Sequence, residues 1–102
     1  MKQIDSKGIK YDEGKLRYDL MPPHAFQEVV KVLTHGAKKY DDENWRLVPE
    51  YRRRYYAAMM RHVEPWRMGK DIDESGCHHI ACAIASLLFI LERELTNVSK
   101  NT

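Results

Sequence analysis

The sequence has no apolar run long enough to cross a bilayer. Its longest apolar-rich stretch, Ile80–Leu91, is about half of the ~20 residues a spanning helix needs. The opening segment "MKQIDSKGIKYDEGKLRYD" mixes charges and lacks the apolar centre of a secretory signal. No membrane partner is expected. There are only two cysteines, Cys77 and Cys82. They lie five apart on one predicted helix, where their side chains diverge, so a disulfide between them is not expected. That pattern suits a soluble protein of a reducing, cytoplasmic compartment. Charge of one sign is also missing. A formal net charge of +2 does not announce a nucleic-acid polymer as partner, and Arg52-Arg53-Arg54 is a local patch only. GxxxxGK[ST] and GxGxxG are both absent, which removes the glycine-rich phosphate loops. A His-Asp dipeptide is absent too, and no nucleophile elbow surrounds Ser75.

What is present fits one globular domain of 102 residues with a single core: 43% of the residues are hydrophobic and 31% charged. Residues 1–21 are polar, broken by Gly8 and Gly14, and read as an extended N-terminal arm. Residues 22–97 form the helical domain, and 98–102 a frayed tail. Pro22-Pro23 suits the first turn of a helix, and Phe26, Val29, Val30, Leu33 and Ala37 recur on one of its faces. Gly36 either ends this helix or lies inside it. A second helix spans about Glu50 to Met68, with Tyr55, Ala58, Met59, His62 and Trp66 as its buried stripe and Pro65 as a kink or stop. A third, capped by Asp73 or Ser75, runs to about Leu95 with Ile80, Ile84, Leu87, Leu88, Leu91 and Leu95 on one face. Its other side is apolar as well, so it belongs at a centre or against another subunit. The expected fold is all-α: three main helices with an extended N-terminal arm, assembling into an oligomeric helical bundle.

Polar residues concentrate in three places. In "DIDESGCHHIACA" (71–83), Glu74–His78 and His78–Cys82 are four apart and His79–Cys82 three apart, spacings at which helical side chains share a cation. Asp71 and Asp73 add oxygen donors suited to Mg²⁺ or Mn²⁺. Acidic residues there also suit a helix N-terminus without any ligand. A zinc site from Cys77, His78, His79 and Cys82 is not expected, because four donors from one helical turn cannot converge. His62 sits on the apolar stripe of the second helix. A short loop makes helices two and three antiparallel, which turns His62 toward Asp73 and His79. "HGAKKYDDENW" (35–45) offers Lys38 and Lys39 to phosphates, Asn44 to a base edge, and Tyr40 or Trp45 to stacking. Its alternative is an ordinary solvated helix end.

"GKLRYDLMPP", "GAKKYDDENW", "RHVEPW" and "DIDESGCHHIACA", in this order and at these intervals, resemble the dATP/dGTP diphosphohydrolase-like family. This small, often phage-encoded family is related in concept to MazG-type all-α NTP pyrophosphohydrolases. The resemblance covers about Lys10 to Leu91. It implies a helical homo-oligomer of the cytoplasm (the host cytoplasm if phage-encoded) that binds a purine deoxynucleotide. Cleavage to a monophosphate and pyrophosphate would use Mg²⁺ or Mn²⁺. On that reading Asp73, Glu74 and His79 hold the metal, and Asp73, Glu74 and His62 carry catalysis. Lys38, Lys39 and Arg61 neutralise phosphates, while Tyr40, Asn44, Trp45 and Trp66 hold the base. The EExxE and ExxD acids of MazG-type enzymes have no counterpart: helix one offers Glu28 and helix two Glu64. The alternative is a non-catalytic nucleotide sponge, a phage anti-defence protein that sequesters a cyclic signal.

Overall fold

A computed structural model describes residues 7–96 of the chain. The described residues form three α-helices: α1 (Pro23–Lys39), α2 (Tyr51–Arg67) and α3 (His79–Thr96). Single 3-10 turns at Tyr18–Leu20 and Asn44–Leu47 interrupt the connecting segments. No strand occurs among the described residues, and the one backbone bridge joins Ile72 to His78. The expected all-helical class is therefore observed. Residues 7–17 are exposed and non-helical, while Met1–Ser6 and the tail 98–102 lie outside the described residues.

α1 starts at Pro23, where a missing amide costs nothing because first-turn donors have no helical partner. Lys38 and Lys39 occupy its last turn, where cations suit the helix dipole. Gly36 lies inside α1, and its carbonyl accepts the amide of Tyr40. α2 carries Pro65 within its last turn without breaking before Arg67.

α2 and α3 run antiparallel. Tyr51 pairs with Glu94, Tyr55 with Phe89 and His62 with His79, so one sequence order ascends as the other descends. α3 packs mainly on α2 and less extensively on α1. Its first half holds most of the core: Ala81, Cys82, Ala83 and Ala85 are buried, joined by Val29 of α1 and by Cys77. Small residues here let the helices approach closely. Arg93 pins the connector between α1 and α2 by donating to the carbonyls of Trp45 and Val48, while its guanidinium covers the Tyr51 ring at 4.3 Å.

The expected apolar stripes are only partly covered. Phe26 is 55% exposed, Val30 40% and Trp66 43%, and along the second half of α3 Leu91 is 54% and Leu95 64% exposed. The Cα radius of gyration is 18.7 Å, against about 13 Å for a compact chain of this length. Apolar side chains of α1, α2 and α3 are thus left without a cover among the described residues.

Candidate functional site

The connection from α2 to α3 departs from the expected long capped helix. α3 begins at His79, not at Asp73 or Ser75. Residues 72–78 close a tight turn first. The Asp73 amide donates to the Cys77 carbonyl at 2.8 Å, and the Gly76 amide to the Asp73 carbonyl at 2.8 Å. Gly76 has φ +88°, a left-handed conformation that a residue with a Cβ adopts only under strain. His78 then caps α3: its Nδ1 accepts the Ile80 amide at 3.0 Å, the task usually given to Ser or Asp. The expected helical pairs Glu74–His78 and His78–Cys82 do not arise, because Glu74 lies in the turn and His78 is spent on the cap.

This turn fixes one side chain on each side of the His78 cap. The Asp73 carboxylate accepts the Ser75 amide at 2.9 Å, and the His79 amide donates to the Asp71 carbonyl at 2.8 Å. Both side chains then face His62 of α2. His62 Nδ1 lies 2.9 Å from His79 Nδ1, and Asp73 Oδ1 lies 3.8 Å from the former and 4.0 Å from the latter. Side-chain exposure is 25% for His62, 22% for Asp73 and 10% for His79, so the three meet at a partly open surface. Among the described residues this is the one group of three His, Cys, Asp or Glu side chains whose donor atoms lie within 4.8 Å of one another.

The electrostatics follow from the packing. Burial lowers the pKa of His62 below its ordinary value, with His79 and Arg61 acting in the same direction and Asp73 opposing. Burial alone would raise Asp73, but hydrogen bonds from Ser75 and the facing histidines outweigh it and hold the carboxyl below its usual range. An anionic carboxylate and a neutral His62 imidazole at neutral pH are electron-pair donors. Two Nδ1 atoms at 2.9 Å either share one proton or face a common cation.

The other expected site residues separate. Glu74 is exposed in the turn and outside the cluster, as is Asp71. Arg61 is exposed beside His62, and Trp66 lies one helical turn further along α2. Lys38 lines an open groove of ≈ 510 Å³ between α1 and the turn, with Lys31, His35, Ser75, Gly76 and Cys77. Lys39 instead lies over the Tyr40 ring at 5.4 Å. Asn44 and Trp45 are not brought to the cluster. Trp45 stacks on Phe89 at 4.9 Å and 12°, and Arg46 covers it at 4.3 Å. Phe89 is ten residues beyond His79, about 15 Å along α3. Glu28 pairs with Lys31 at 3.5 Å on α1, and Glu64 with Arg67 at 3.0 Å on α2. Neither acid belongs to the cluster. Sequence reasoning missed Lys31 and His35 as groove residues; their spacing of four from each other, and of three from His35 to Lys38, was the available signal.

The fold is all-α, and its α2–α3 pair gathers two imidazoles and one carboxylate at a partly open surface. The chain belongs to the family described as dATP/dGTP diphosphohydrolase, N-terminal, whose model matches residues 5–102. It is 39% identical over 84 residues to a dATP/dGTP diphosphohydrolase of Salmonella phage PMBT28. The match covers 81% of this chain but 28% of that relative, so the chain spans little more than a quarter of its length. No solved structure matches. No helix among the described residues is long and apolar enough to cross a membrane.

Proposed function

We propose that this chain is a divalent-cation-dependent nucleotide diphosphohydrolase acting on purine deoxynucleoside triphosphates. The observation that carries the reading is the convergence of His62, Asp73 and His79 from two elements, in a chain of this family. The reaction consumes one water. Its oxygen bonds to the α-phosphorus, the bond from that phosphorus to the bridging oxygen breaks, and pyrophosphate leaves with the bond's electron pair. Glu74, beside Asp73 yet outside the cluster, is the carboxylate free to take the proton from that water. Lys38 in the groove and Arg61 beside His62 neutralise phosphate charge. Trp66, half exposed one turn from His62, gives a base a face to stack on. Mg²⁺ prefers an all-oxygen shell and finds one clustered carboxylate here, so these roles rest on the chain's own groups.

A second copy of this chain is the proposed cover for Leu87, Leu88, Leu91 and Leu95, in the manner of exposed apolar patches that mark interfaces. Release of pyrophosphate from dATP or dGTP by the purified chain, with Mg²⁺, Mn²⁺ or Co²⁺, tests the activity. Silence across that panel removes it. One observation favours a second reading, a nucleotide-binding protein that does not hydrolyse: the cluster holds a single carboxylate, whereas metal-assisted phosphoryl chemistry commonly gathers several. Ligand recovered intact after tight binding and denaturation would favour that reading.

A further inference from the structure

We infer that the His62–Asp73–His79 cluster is a site for one borderline transition-metal ion, of the Mn²⁺, Fe²⁺, Co²⁺ or Zn²⁺ class, and not for Mg²⁺. The inference deepens the proposed function and shares its cluster. It rests on donor chemistry, not on turnover. Two of the three donors are imidazole nitrogens, which suit this class, while Mg²⁺ takes oxygen donors in a near-ideal octahedron and dehydrates reluctantly.

The spacing agrees with the donor types. Metal–imidazole bonds of about 2.0–2.1 Å meeting near a right angle separate their nitrogens by about 2.9 Å. His62 Nδ1 and His79 Nδ1 are 2.9 Å apart. The triangle with sides of 2.9, 3.8 and 4.0 Å has one point in its own plane about 2.1 Å from all three donors, so an ion with bonds of about 2.1 Å sits in that plane. The donors are held from behind. Asp73 is tethered by the Ser75 amide, and the His79 backbone is fixed by Asp71 and by the His78 cap at the start of α3. Three protein donors leave positions open to water and to a phosphate oxygen, and the 25% exposure of His62 leaves a way in. The alternative is a plain hydrogen-bonded histidine pair. Such a pair, with Asp73 Oδ2 tied to the Ser75 amide, still leaves Asp73 Oδ1 at 3.8 and 4.0 Å from the two nitrogens, beyond hydrogen-bond reach.

The test is spectroscopic. Chelator-stripped full chain is titrated with Co²⁺, and the visible ligand-field bands of the ion are followed. The inference expects one Co²⁺ per chain, with bands displaced from those of the aqueous ion and persistent in a large excess of Mg²⁺. Mn²⁺ should compete weakly, as the order of divalent affinities requires, and Zn²⁺ should compete for the same site. His62→Ala and Asp73→Asn should each weaken Co²⁺ binding by roughly 100-fold or more, since even groups behind a ligand are worth 10–100-fold. Helicity by circular dichroism verifies that each variant folds. Should His62→Ala unfold, His62→Gln serves in its place. Bands identical to aqueous Co²⁺, displacement by Mg²⁺, or undiminished binding in both folded variants would overturn the inference. Tight Co²⁺ binding without pyrophosphate release would leave it standing while removing the proposed activity. Mg²⁺-supported release without Co²⁺ binding would do the reverse.

Discussion

Phe89→Ala separates what holds the fold from what forms the cluster. The Phe89 ring stacks on Trp45 at 4.9 Å and meets the edge of Tyr55 at 5.3 Å, tying α3 to both α2 and the 44–47 turn. Full truncation of a buried Phe costs about 3–5 kcal/mol. Phe89 is half-buried, which brings that contribution to about 2 kcal/mol. Each aromatic pair adds about 0.5–1.5 kcal/mol beyond area burial. With each pair at the low end of that range the expected loss is about 3 kcal/mol, or a melting-temperature drop of roughly 12–24 °C at about 4–8 °C per kcal/mol for a domain of this size. Urea and thermal unfolding followed by circular dichroism measure it. Phe89 is about 15 Å along α3 from His79, so Co²⁺ binding by the folded variant should match that of the parent chain. A stability loss below about 1 kcal/mol would refute the packing argument. Lost metal binding in the folded variant would refute the separation of the two regions.

Three more outcomes are expected. Leu91→Glu, on the exposed face of α3, should convert a self-associated species into monomer in sedimentation equilibrium, and an unchanged mass would count against a second copy as the cover. In chelator, native stability should fall as pH drops below about 6.5, because unfolded chains protonate His62 first while the native group waits for its lower pKa. Above pH 6.5 the contribution is fully present, and Asp73, held below its ordinary value, stays charged throughout this window. His62→Gln should flatten the profile, and an equally steep one would contradict the assignment. Burial raises the Cys82 thiol to about 11, so it should resist alkylation at pH 8 until the chain unfolds. Rapid modification of native Cys82, located by peptide mass, would show the core to be open there.

Helix identity was legible because apolar residues recur at three and four across all three segments. The meeting of His62 with Asp73 and His79 was legible for a related reason. An antiparallel return of the third helix on the second brings His62, near the end of α2, to the start of α3, although the observed link, residues 68–78, is longer than the sequence suggests. The start of α3 was not legible. Asp73, Glu74 and Ser75 look like a first helical turn, but Gly76 takes a positive φ and backbone bonds close 72–78 into a turn before the helix begins. That one difference removes Glu74 from the cluster and turns His78 into a cap. Trp45 misled for the opposite reason. An aromatic in a polar connector suggested a ligand, yet Phe89 and Arg46 occupy its two faces. Spacing within a connector says nothing about which distant side chain will reach it. Phe26 and Val30 share an apolar face of α1 and yet are exposed, because the period says only that a face is apolar, not what covers it.

The most direct test is the rate of pyrophosphate release from dATP and dGTP in single turnover with Mn²⁺, comparing the parent chain with Asp73→Asn and His62→Gln. If the three side chains act as one site, each folded variant should lose roughly 100-fold or more in rate, about 2.7 kcal/mol of barrier at 1.36 kcal/mol per tenfold. Undiminished release by both variants would contradict the account.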